Sequence, residues 1–399
     1  MTEKETKENV VKAGRRLVES GLITRTWGNV SCRIDENHFA ITPSGRDYMS
    51  IGPEDIVTVS IEDCSYTGNI KPSSEKGVHS AVYQHNPDIH FVIHTHQENA
   101  SVISTLGFDS IKIASEDPLL GNEIICASYG LPGTKKLRKG VAEALKRSKG
   151  NAIIMKHHGA VCFGKDEEEA FKAALDLEDA CEGFIINRYL KIEQKNNYNP
   201  DELRQFALSH MGRSRIPQGE EELLQSFCNS ERTENGFLLY EKSGKVTEIR
   251  FGMPEDAFNG EAKIHNEIYK KNKNINYIIH ADTPNILTVS HAGIKLYPFV
   301  DDFAQIAGTK VGTAVKPIKI AAALKRASAV LLNSNGAFCC GANEKDASAV
   351  TMIMEKNCKA LISGTLFGTI KPISWLDRNL MRMVYIKKYS RQISNNMDK

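Results

Sequence analysis

The chain has 399 residues, and a prior of ~150 residues per domain suggests two or three domains. Hydrophobic residues at 41% and charged residues at 25% are typical of a globular protein and exclude extended disorder. Because 51 basic and 49 acidic residues nearly cancel, we expect neither a nucleic-acid nor a membrane partner. The N-terminal segment lacks the apolar core of a secretory signal, and nine irregularly spaced cysteines favour reduced thiols. These features predict a cytoplasmic protein.

The predicted elements of the first half mix helices with short strands. In chain order, they are a helix with an apolar stripe of Val10, Gly14, Leu17 and Val18, strands at 39–42 and 56–59, a helix opened by Ser73-Ser74 and ending before Pro87, a strand at 89–96, and a helix capped by Asp166 with Phe171, Ala174, Leu175 and Cys181 inward. Several strands in succession between helices predict an α/β/α or α+β sandwich.

The sequence contains one pattern twice. Residues 73–99 align without a gap with residues 259–285, and residues 152–170 align with residues 329–347. Two separated blocks in the same order make chance similarity a poor explanation. We therefore predict a tandem duplication of one domain.

The domain boundary is predicted in the charged, Asn-rich stretch 193–202. The first domain then covers residues 1–195 and the second covers residues 205–399. The second copy has lost part of the pattern, because two histidines of the first copy are replaced there by Asp282 and Asn335.

Three histidines of the first copy form a predicted metal site. His94 and His96 are two residues apart on a strand, so their side chains point to the same face. His158 follows another predicted strand, and we choose it over its neighbour because its counterpart in the second copy is Asn335. Three neutral imidazoles with an open fourth position are typical of a catalytic zinc site. The alternative is that the two spaced histidines are only a polar strand end.

Short polar residues in three segments form a predicted phosphate cradle. The segments are Thr26-Trp27-Gly28-Asn29, Thr42-Pro43-Ser44-Gly45 and Lys71-Pro72-Ser73-Ser74-Glu75, the last of which opens a helix. Backbone amides at a helix N-terminus attract anions, and serine hydroxyls add further donors. The alternative is that the serines only cap the helix, that Glu75 is an ordinary first-turn acid and that the other segments are loop turns.

Taken in order across one domain, these motifs resemble the class II aldolase/adducin family, in particular its fuculose-1-phosphate aldolase branch. The resemblance covers roughly residues 5–190, and the second copy joins it only through the repeat. It implies a three-layer α/β/α sandwich with a mostly antiparallel central sheet, present twice. It further implies that Zn²⁺, or another divalent transition metal, is held by His94, His96 and His158. The phosphate ligands that it implies are Thr26, Gly28, Asn29, Ser44, Gly45, Ser73 and Ser74.

The implied reaction is cleavage of a ketose 1-phosphate to dihydroxyacetone phosphate and an aldehyde through a metal-stabilised enediolate. Glu75 is the implied acid/base. In the family, a tyrosine from a neighbouring subunit protonates the leaving aldehyde, but Ala114-Ser115 occupy that position here. The nearby Glu116 could serve as an alternative proton donor. The other interpretation is that Glu116 is only an acid on the surface.

Two alternative functions stay open at this point. One is a related epimerase, dehydratase or decarboxylase of a sugar phosphate, and the other is a non-catalytic adducin-like interaction protein. Because family members form ring-shaped tetramers, two tandem chains are expected to build a homodimer with four domains, a pseudo-tetramer. The second domain is expected to bind no catalytic metal.

Overall fold

The computed structural model describes residues 1–23, 27–212, 228–254, 260–368 and 370–397, without the side chains of residue 115 and of residues 388–397. By internal contacts the chain divides into two units, Met1–Tyr198 and Asn199–Lys399. Each unit is described by itself below. None of the helices within these ranges is long and apolar enough to cross a membrane.

The first unit is built around an eight-stranded sheet. Its strands are β1 Asn29–Arg33, β2 His38–Ile41, β3 Val57–Ser60, β4 Phe91–Thr95, β5 Ser110–Asp117, β6 Gly121–Ala127, β7 Ala152–Met155 and β8 Gly159–Gly164. They lie in the order β3-β2-β1-β4-β8-β7-β6-β5. All neighbours are antiparallel except β6 and β7. The predicted, mostly antiparallel sheet is therefore confirmed.

Helices cover both faces of this sheet. They are α1 Glu3–Glu19, α2 Lys76–His85, α3 Glu98–Ser104, α4 Lys135–Leu145 and α5 Glu167–Glu193. Helices α2 and α4 pack through residues such as Val82 and Val141 against strand residues such as Val59 and Val161. Helices α1, α3 and α5 contact the strands from the other side. Burial on both faces produces the predicted three layers.

One part of the predicted core is wrong. Asp166 does cap α5, since its side chain accepts a hydrogen bond from the Glu169 N–H at 2.9 Å, and Phe171 and Ala174 are buried. Leu175, however, is 48% exposed. One residue along a helix is a rotation of about 100°, which moves Leu175 off the stripe that Ala174 occupies.

The second unit repeats the arrangement with seven strands. They are β9 Asn229–Arg232, β10 Gly236–Tyr240, β11 Val246–Arg250, β12 Tyr277–Ala281, β13 Thr313–Ala314, β14 Ala329–Leu332 and β15 Ala337–Gly341. Their order, β11-β10-β9-β12-β15-β14-β13, matches that of the first sheet, and the parallel pair (β13 with β14) lies at the equivalent place. The helices are α6 Pro200–His210, α7 Gly260–Lys271, α8 Pro284–Ala292, α9 Asp301–Ile306, α10 Pro317–Ala323, α11 Glu344–Gly364 and α12 Trp375–Met397. The predicted tandem arrangement is confirmed.

Candidate metal centre and active site

The three predicted ligands meet where two neighbouring strands end. His94 is the fourth residue of β4 and His96 follows this strand, while His158 lies in the turn between β7 and β8. Strands β4 and β8 are antiparallel neighbours with Thr95 opposite Ala160, so the end of β4 lies beside the start of β8. Sheet register therefore brings together histidines that are more than 60 positions apart.

The turn between β7 and β8 depends on unusual backbone positions. His157 has a φ of 62°, in the left-handed region that side-chain-bearing residues seldom adopt. Next to the turn, a Cβ atom at Gly159 would lie 2.2 Å from the Thr95 carbonyl oxygen. Only glycine permits this approach, which sets His158 toward β4.

The ring nitrogens of the three histidines converge. Nε2 of His94 lies 2.9 Å from Nε2 of His96 and 3.1 Å from Nε2 of His158. Nδ1 of His94 donates a hydrogen bond to the Ala160 carbonyl oxygen at 2.8 Å. That bond occupies the Nδ1 proton and leaves Nε2 to offer a lone pair toward the other rings.

Glu75 lies against the same nitrogens. Its Oε2 is 2.9 Å from Nε2 of His94, and its Oε1 is 2.8 Å from Nε2 of His158. Burial by itself raises the pKa of the Glu75 carboxyl, but the nearby charges of His158 and His94 outweigh burial and hold this pKa well below its usual value. The residue stands just before α2 and makes no capping hydrogen bond, so it is not an ordinary first-turn acid.

The chemistry of this cluster fits a divalent transition metal. Among the described residues, the three histidines are the one group of metal-ligating side chains close enough to share an ion. Nitrogen atoms about 3 Å apart suit a single ion with Zn–N bonds of ~2.0–2.1 Å. In addition, Oε1 of Glu75 is buried and makes no hydrogen bond of acceptable geometry, although it lies in contact with His158. Lone pairs that face one another in a buried site are stabilised by a cation between them, either a proton or a metal ion.

Backbone and side-chain contacts connect the predicted phosphate-binding segments to their surroundings. Thr26 lies outside the described residues. Pro43 and Pro72 form an isolated antiparallel bridge, and the Tyr48 hydroxyl donates to the Gly28 carbonyl at 2.6 Å. The positive φ of Gly28, 134°, brings this residue against the β4 backbone, where a Cβ atom would lie 2.7 Å from the His94 carbonyl oxygen.

The remaining cradle residues differ in exposure. Gly45, with a φ of 73°, and Ser74 are exposed, while Ser44 is half-buried. Ser73 is buried, and its hydroxyl accepts the Glu75 N–H at 3.2 Å, so one serine does stabilise the helix start. The exposed and half-buried members are accessible to an anion.

Asn29 lies beside the carboxylate. Nδ2 of Asn29 is 3.3 Å from Oε2 of Glu75, and its Oδ1 contacts Nε2 of His79. Sequence reasoning placed Asn29 only in the cradle and missed His79 as a site residue. The available signal was that His79 persists in the second copy, which marks it as part of a shared buried core.

The described residues of the second unit contain no equivalent ligand set. Its retained residues, Glu261 and His280, bond directly to each other at 2.6 Å between Oε1 and Nδ1. Nε2 of His280 donates to the Asn335 carbonyl oxygen at 2.8 Å, so this imidazole has the reverse orientation. Asp282, in the place of His96, pairs with Lys242 instead.

The segment where the resemblance places a tyrosine lies on the edge strand β5. Ala114 and Glu116 are both exposed there. The pairing of β5 with β6 is irregular between Lys112 and Asp117.

Comparison with known proteins agrees with these features. The family model described as the Class II Aldolase and Adducin N-terminal domain matches residues 8–185 and again residues 227–362. The chain belongs to this family. The two matched regions fall in the two structural units, one in each.

The curated relatives each match a stretch of the chain about as long as one unit. The chain is 31% identical over 173 residues to a 5-deoxy-D-ribulose 1-phosphate aldolase of Bacillus thuringiensis, covering 43% of this chain and 80% of the relative. It is 35% identical over 162 residues to an L-fuculose phosphate aldolase of Escherichia coli, covering 40% of this chain and 72% of the relative. These relatives identify the chain as a lyase of the aldolase type.

A solved structure described as L-fuculose 1-phosphate aldolase is also similar. It has 29% sequence identity and a TM-score of 0.43, and the match covers 50% of this chain and 92% of that one.

Proposed function

We propose that the protein is a zinc-dependent aldolase that cleaves a ketose 1-phosphate to dihydroxyacetone phosphate and an aldehyde. The observation that carries the proposal is the contact of the Glu75 carboxylate with His94 and His158, whose Nε2 atoms converge with that of His96. A carboxylate directly beside a Lewis-acid site is the arrangement that proton transfer next to a carbonyl requires.

In this proposal His94, His96 and His158 hold the metal. When bound there, a divalent cation supplies a Lewis acid for the negative charge that develops as the C3–C4 bond breaks. Three imidazoles are a common ligand set for Zn²⁺, and imidazole ligands also bind other divalent transition metals.

Glu75 moves the proton. Cleavage leaves the electron pair on C3 of dihydroxyacetone phosphate, and the Glu75 carboxyl, after taking up a proton, delivers it to that carbon. Another group accepts the proton that the C4 hydroxyl loses as the aldehyde forms. In the condensation direction the carboxylate removes the same proton. The charges of His158 and His94 hold the pKa of Glu75 well below its usual value, which supports a carboxylate that is ionised before substrate arrives.

The substrate phosphate is proposed to bind Gly28, Asn29, Ser44, Gly45, Ser73 and Ser74, together with Thr26, which lies outside the described residues. Support comes from the bridge that joins two of these segments and from the exposed backbone of Gly45. Holding the phosphate away from the reacting carbons orients the sugar toward Glu75.

The test is an assay of dihydroxyacetone phosphate release by the metal-loaded protein. The substrate panel takes 5-deoxyribulose 1-phosphate and L-fuculose 1-phosphate from the names of the relatives. Release from at least one of them supports the proposal. Conversion of the panel without cleavage would instead indicate the related epimerase or dehydratase reaction, and a decarboxylase would leave this panel unchanged.

One observation favours that second candidate. Ala114 and Ser115 stand where the family resemblance places the tyrosine that exchanges a proton with the leaving aldehyde. If the reaction is aldol cleavage, another group such as the exposed Glu116 accepts the proton that the C4 hydroxyl loses as the aldehyde forms. Glu116→Gln should then lower the cleavage rate and leave the metal content unchanged.

We further propose that two chains form a pseudo-tetramer of four domains. Each unit repeats the family domain, and the second unit has lost the ligand set but kept the sheet order. Such a unit completes packing without adding an active site. A sedimentation measurement should find a dimer, and a stable monomer with full activity would contradict it.

A further inference from the structure

A line of buried side chains leads from the interior of the first unit to Glu75. The oxygen atoms of Tyr83 and Ser31 lie 2.7 Å apart, and Ser31 Oγ lies 2.6 Å from Nδ1 of His79. Nε2 of His79 contacts Oδ1 of Asn29, whose Nδ2 lies 3.3 Å from Oε2 of Glu75. These five side chains are at most 7% exposed. The line is therefore closed to solvent along its length.

The donors along this line all point toward the carboxylate. Nδ2 of Asn29 can only donate, so it donates to Oε2 of Glu75, and Oδ1 of Asn29 must accept. His79 consequently carries its proton on Nε2. Its Nδ1 then accepts from the Ser31 hydroxyl, and Ser31 accepts from the Tyr83 hydroxyl. One tautomer and one amide orientation satisfy every member.

His79 is held in the neutral form that this direction requires. Burial lowers the pKa of His79 from 6.5 to about 3. Its ring is fully buried, so it is out of reach of a substrate.

The second unit provides a natural comparison. Ser230 Oγ lies 2.6 Å from Nδ1 of His265 and 2.8 Å from the Tyr269 hydroxyl, which repeats the inner half of the line. The position of Asn29 is taken by Cys228, and Nε2 of His265 lies 3.6 Å from Oε1 of Glu261 without a hydrogen bond. The inner triad is thus common to both units, whereas a side-chain amide joins the histidine to the carboxylate in the first. In the second, the backbone N–H of Cys228 donates to Glu261 at 2.8 Å.

We infer that His79 is a positioning residue that orients Glu75 for proton transfer by fixing the amide of Asn29. The inference rests on the proposed function and assigns a role to a residue that does not touch substrate. Without the His79 N–H the Asn29 amide is free to rotate, and the Glu75 carboxylate loses its one side-chain amide donor. Groups that orient an active-site side chain in this way typically contribute ~10–100-fold to activity.

The test compares matched variants of the two units. His79→Leu keeps the volume and removes both ring nitrogens, His79→Gln restores a donor near the Nε2 position, and His265→Leu makes the same change in the unit without a site. The reaction is deuterium incorporation at C3 of dihydroxyacetone phosphate in D₂O, followed by proton NMR with Zn²⁺-loaded full-length protein. This reaction reports on Glu75 and needs no aldehyde.

We expect His79→Leu to lower the maximal exchange rate by ~10–100-fold with little change in the half-saturating concentration. His79→Gln should recover part of the rate, and His265→Leu should exchange like the wild type. A wild-type rate for His79→Leu would overturn the inference, as would an equal loss in His265→Leu.

A milder pair covers the case in which His79→Leu does not fold. Ser31→Ala removes the hydrogen bond that the Ser31 hydroxyl donates to Nδ1 of His79, so that the tautomer of His79 is no longer fixed. Ser230→Ala is its matched control. A severalfold lower rate in Ser31→Ala alone supports the inference, and equal rates in the two variants contradict it.

Failure of the proposed function gives a different result. If the wild-type protein neither exchanges dihydroxyacetone phosphate nor cleaves the panel, the proposed function is wrong, and the positioning role is tested with Co²⁺-loaded protein. A visible Co²⁺ spectrum altered in the His79 and Ser31 variants but not in the His265 and Ser230 variants supports a role in orienting Glu75. Spectra identical with that of the wild type overturn it.

Discussion

The hydrogen bond from Nδ1 of His94 to the carbonyl oxygen of Ala160, 2.8 Å long, decides which nitrogen of His94 faces the other histidines. The counterpart in the second unit, His280, bonds to the Asn335 carbonyl through Nε2 instead. The same strand position thus turns the proposed ligand atom toward the other histidines in one unit and makes a structural hydrogen bond with the equivalent atom in the other. Orientation of this ring, as well as loss of the other ligands, separates the two units.

Metal binding should depend on the first unit alone. His158→Ala removes one of three proposed ligands and should weaken Zn²⁺ binding by about 100-fold or more, since each ligand supplies several kcal/mol of the ~10–16 kcal/mol typical of zinc sites. Competition with a chromophoric chelator measures this. The matched variant Asn335→Ala should bind Zn²⁺ like the wild type, at about one ion per chain. Equal affinities in the two variants would rule out the proposed ligand set.

Glu75→Gln should separate metal binding from proton transfer. The amide cannot act as a base, so the maximal rate should fall by about 100-fold to 10,000-fold while Zn²⁺ stays bound. Turnover and metal content are measured on the same sample. Glu261→Gln is the control, because Glu261 is engaged by His280 and by the backbone N–H of Cys228 at 2.8 Å. Unchanged turnover in Glu75→Gln would disprove the role of Glu75.

Glycine at position 159 should prove necessary for the site. Gly159→Ala places a methyl group too close to the Thr95 carbonyl oxygen, so the turn that carries His158 must shift. We expect weaker Zn²⁺ binding, measured by chelator competition. Gly336→Ala creates a similar clash with the Ala281 carbonyl in the second unit and should lower stability without changing Zn²⁺ affinity. Wild-type affinity in Gly159→Ala would contradict this account of the turn.

Stability should depend on pH through His79. Burial lowers the pKa of His79 to about 3 in the folded protein, from 6.5 in the reference state. Between these values the unfolded chain binds a proton that the folded protein does not, so the free energy of unfolding falls as pH falls. The expected contribution is about 1 kcal/mol per pH unit from about pH 6 to about pH 4.

Urea unfolding of chelator-treated protein at several pH values measures this dependence. His79→Gln should show a flatter profile than the wild type, because the titrating group is gone. Parallel profiles would mean that His79 does not contribute this pH dependence.

Much of the fold follows from local patterns. The alternation of side-chain direction along a strand predicts that His94 and His96 share a face, and the asparagine at position 335 singles out His158 from its neighbour. These inferences need only strand periodicity and the internal repeat. Leu175 was misplaced because a long helix tolerates several neighbouring choices of apolar stripe.

The buried line through His79 was not predictable in the same way. Asn29 and Glu75 are 46 positions apart, and their contact depends on how β1 and the start of α2 meet at the end of β4. The repeat showed that His79 has a counterpart, yet it gave no indication that Asn29 links this histidine to the carboxylate. Sheet register and the tautomer of one buried imidazole establish that link.

The most direct test of the central claim is dihydroxyacetone phosphate release from 5-deoxyribulose 1-phosphate and L-fuculose 1-phosphate before and after metal removal. The account predicts release by the Zn²⁺-loaded protein, loss after chelation and recovery when Zn²⁺ is returned. Release that continues undiminished in the chelated protein, or no release in any metal-loaded sample, would contradict it.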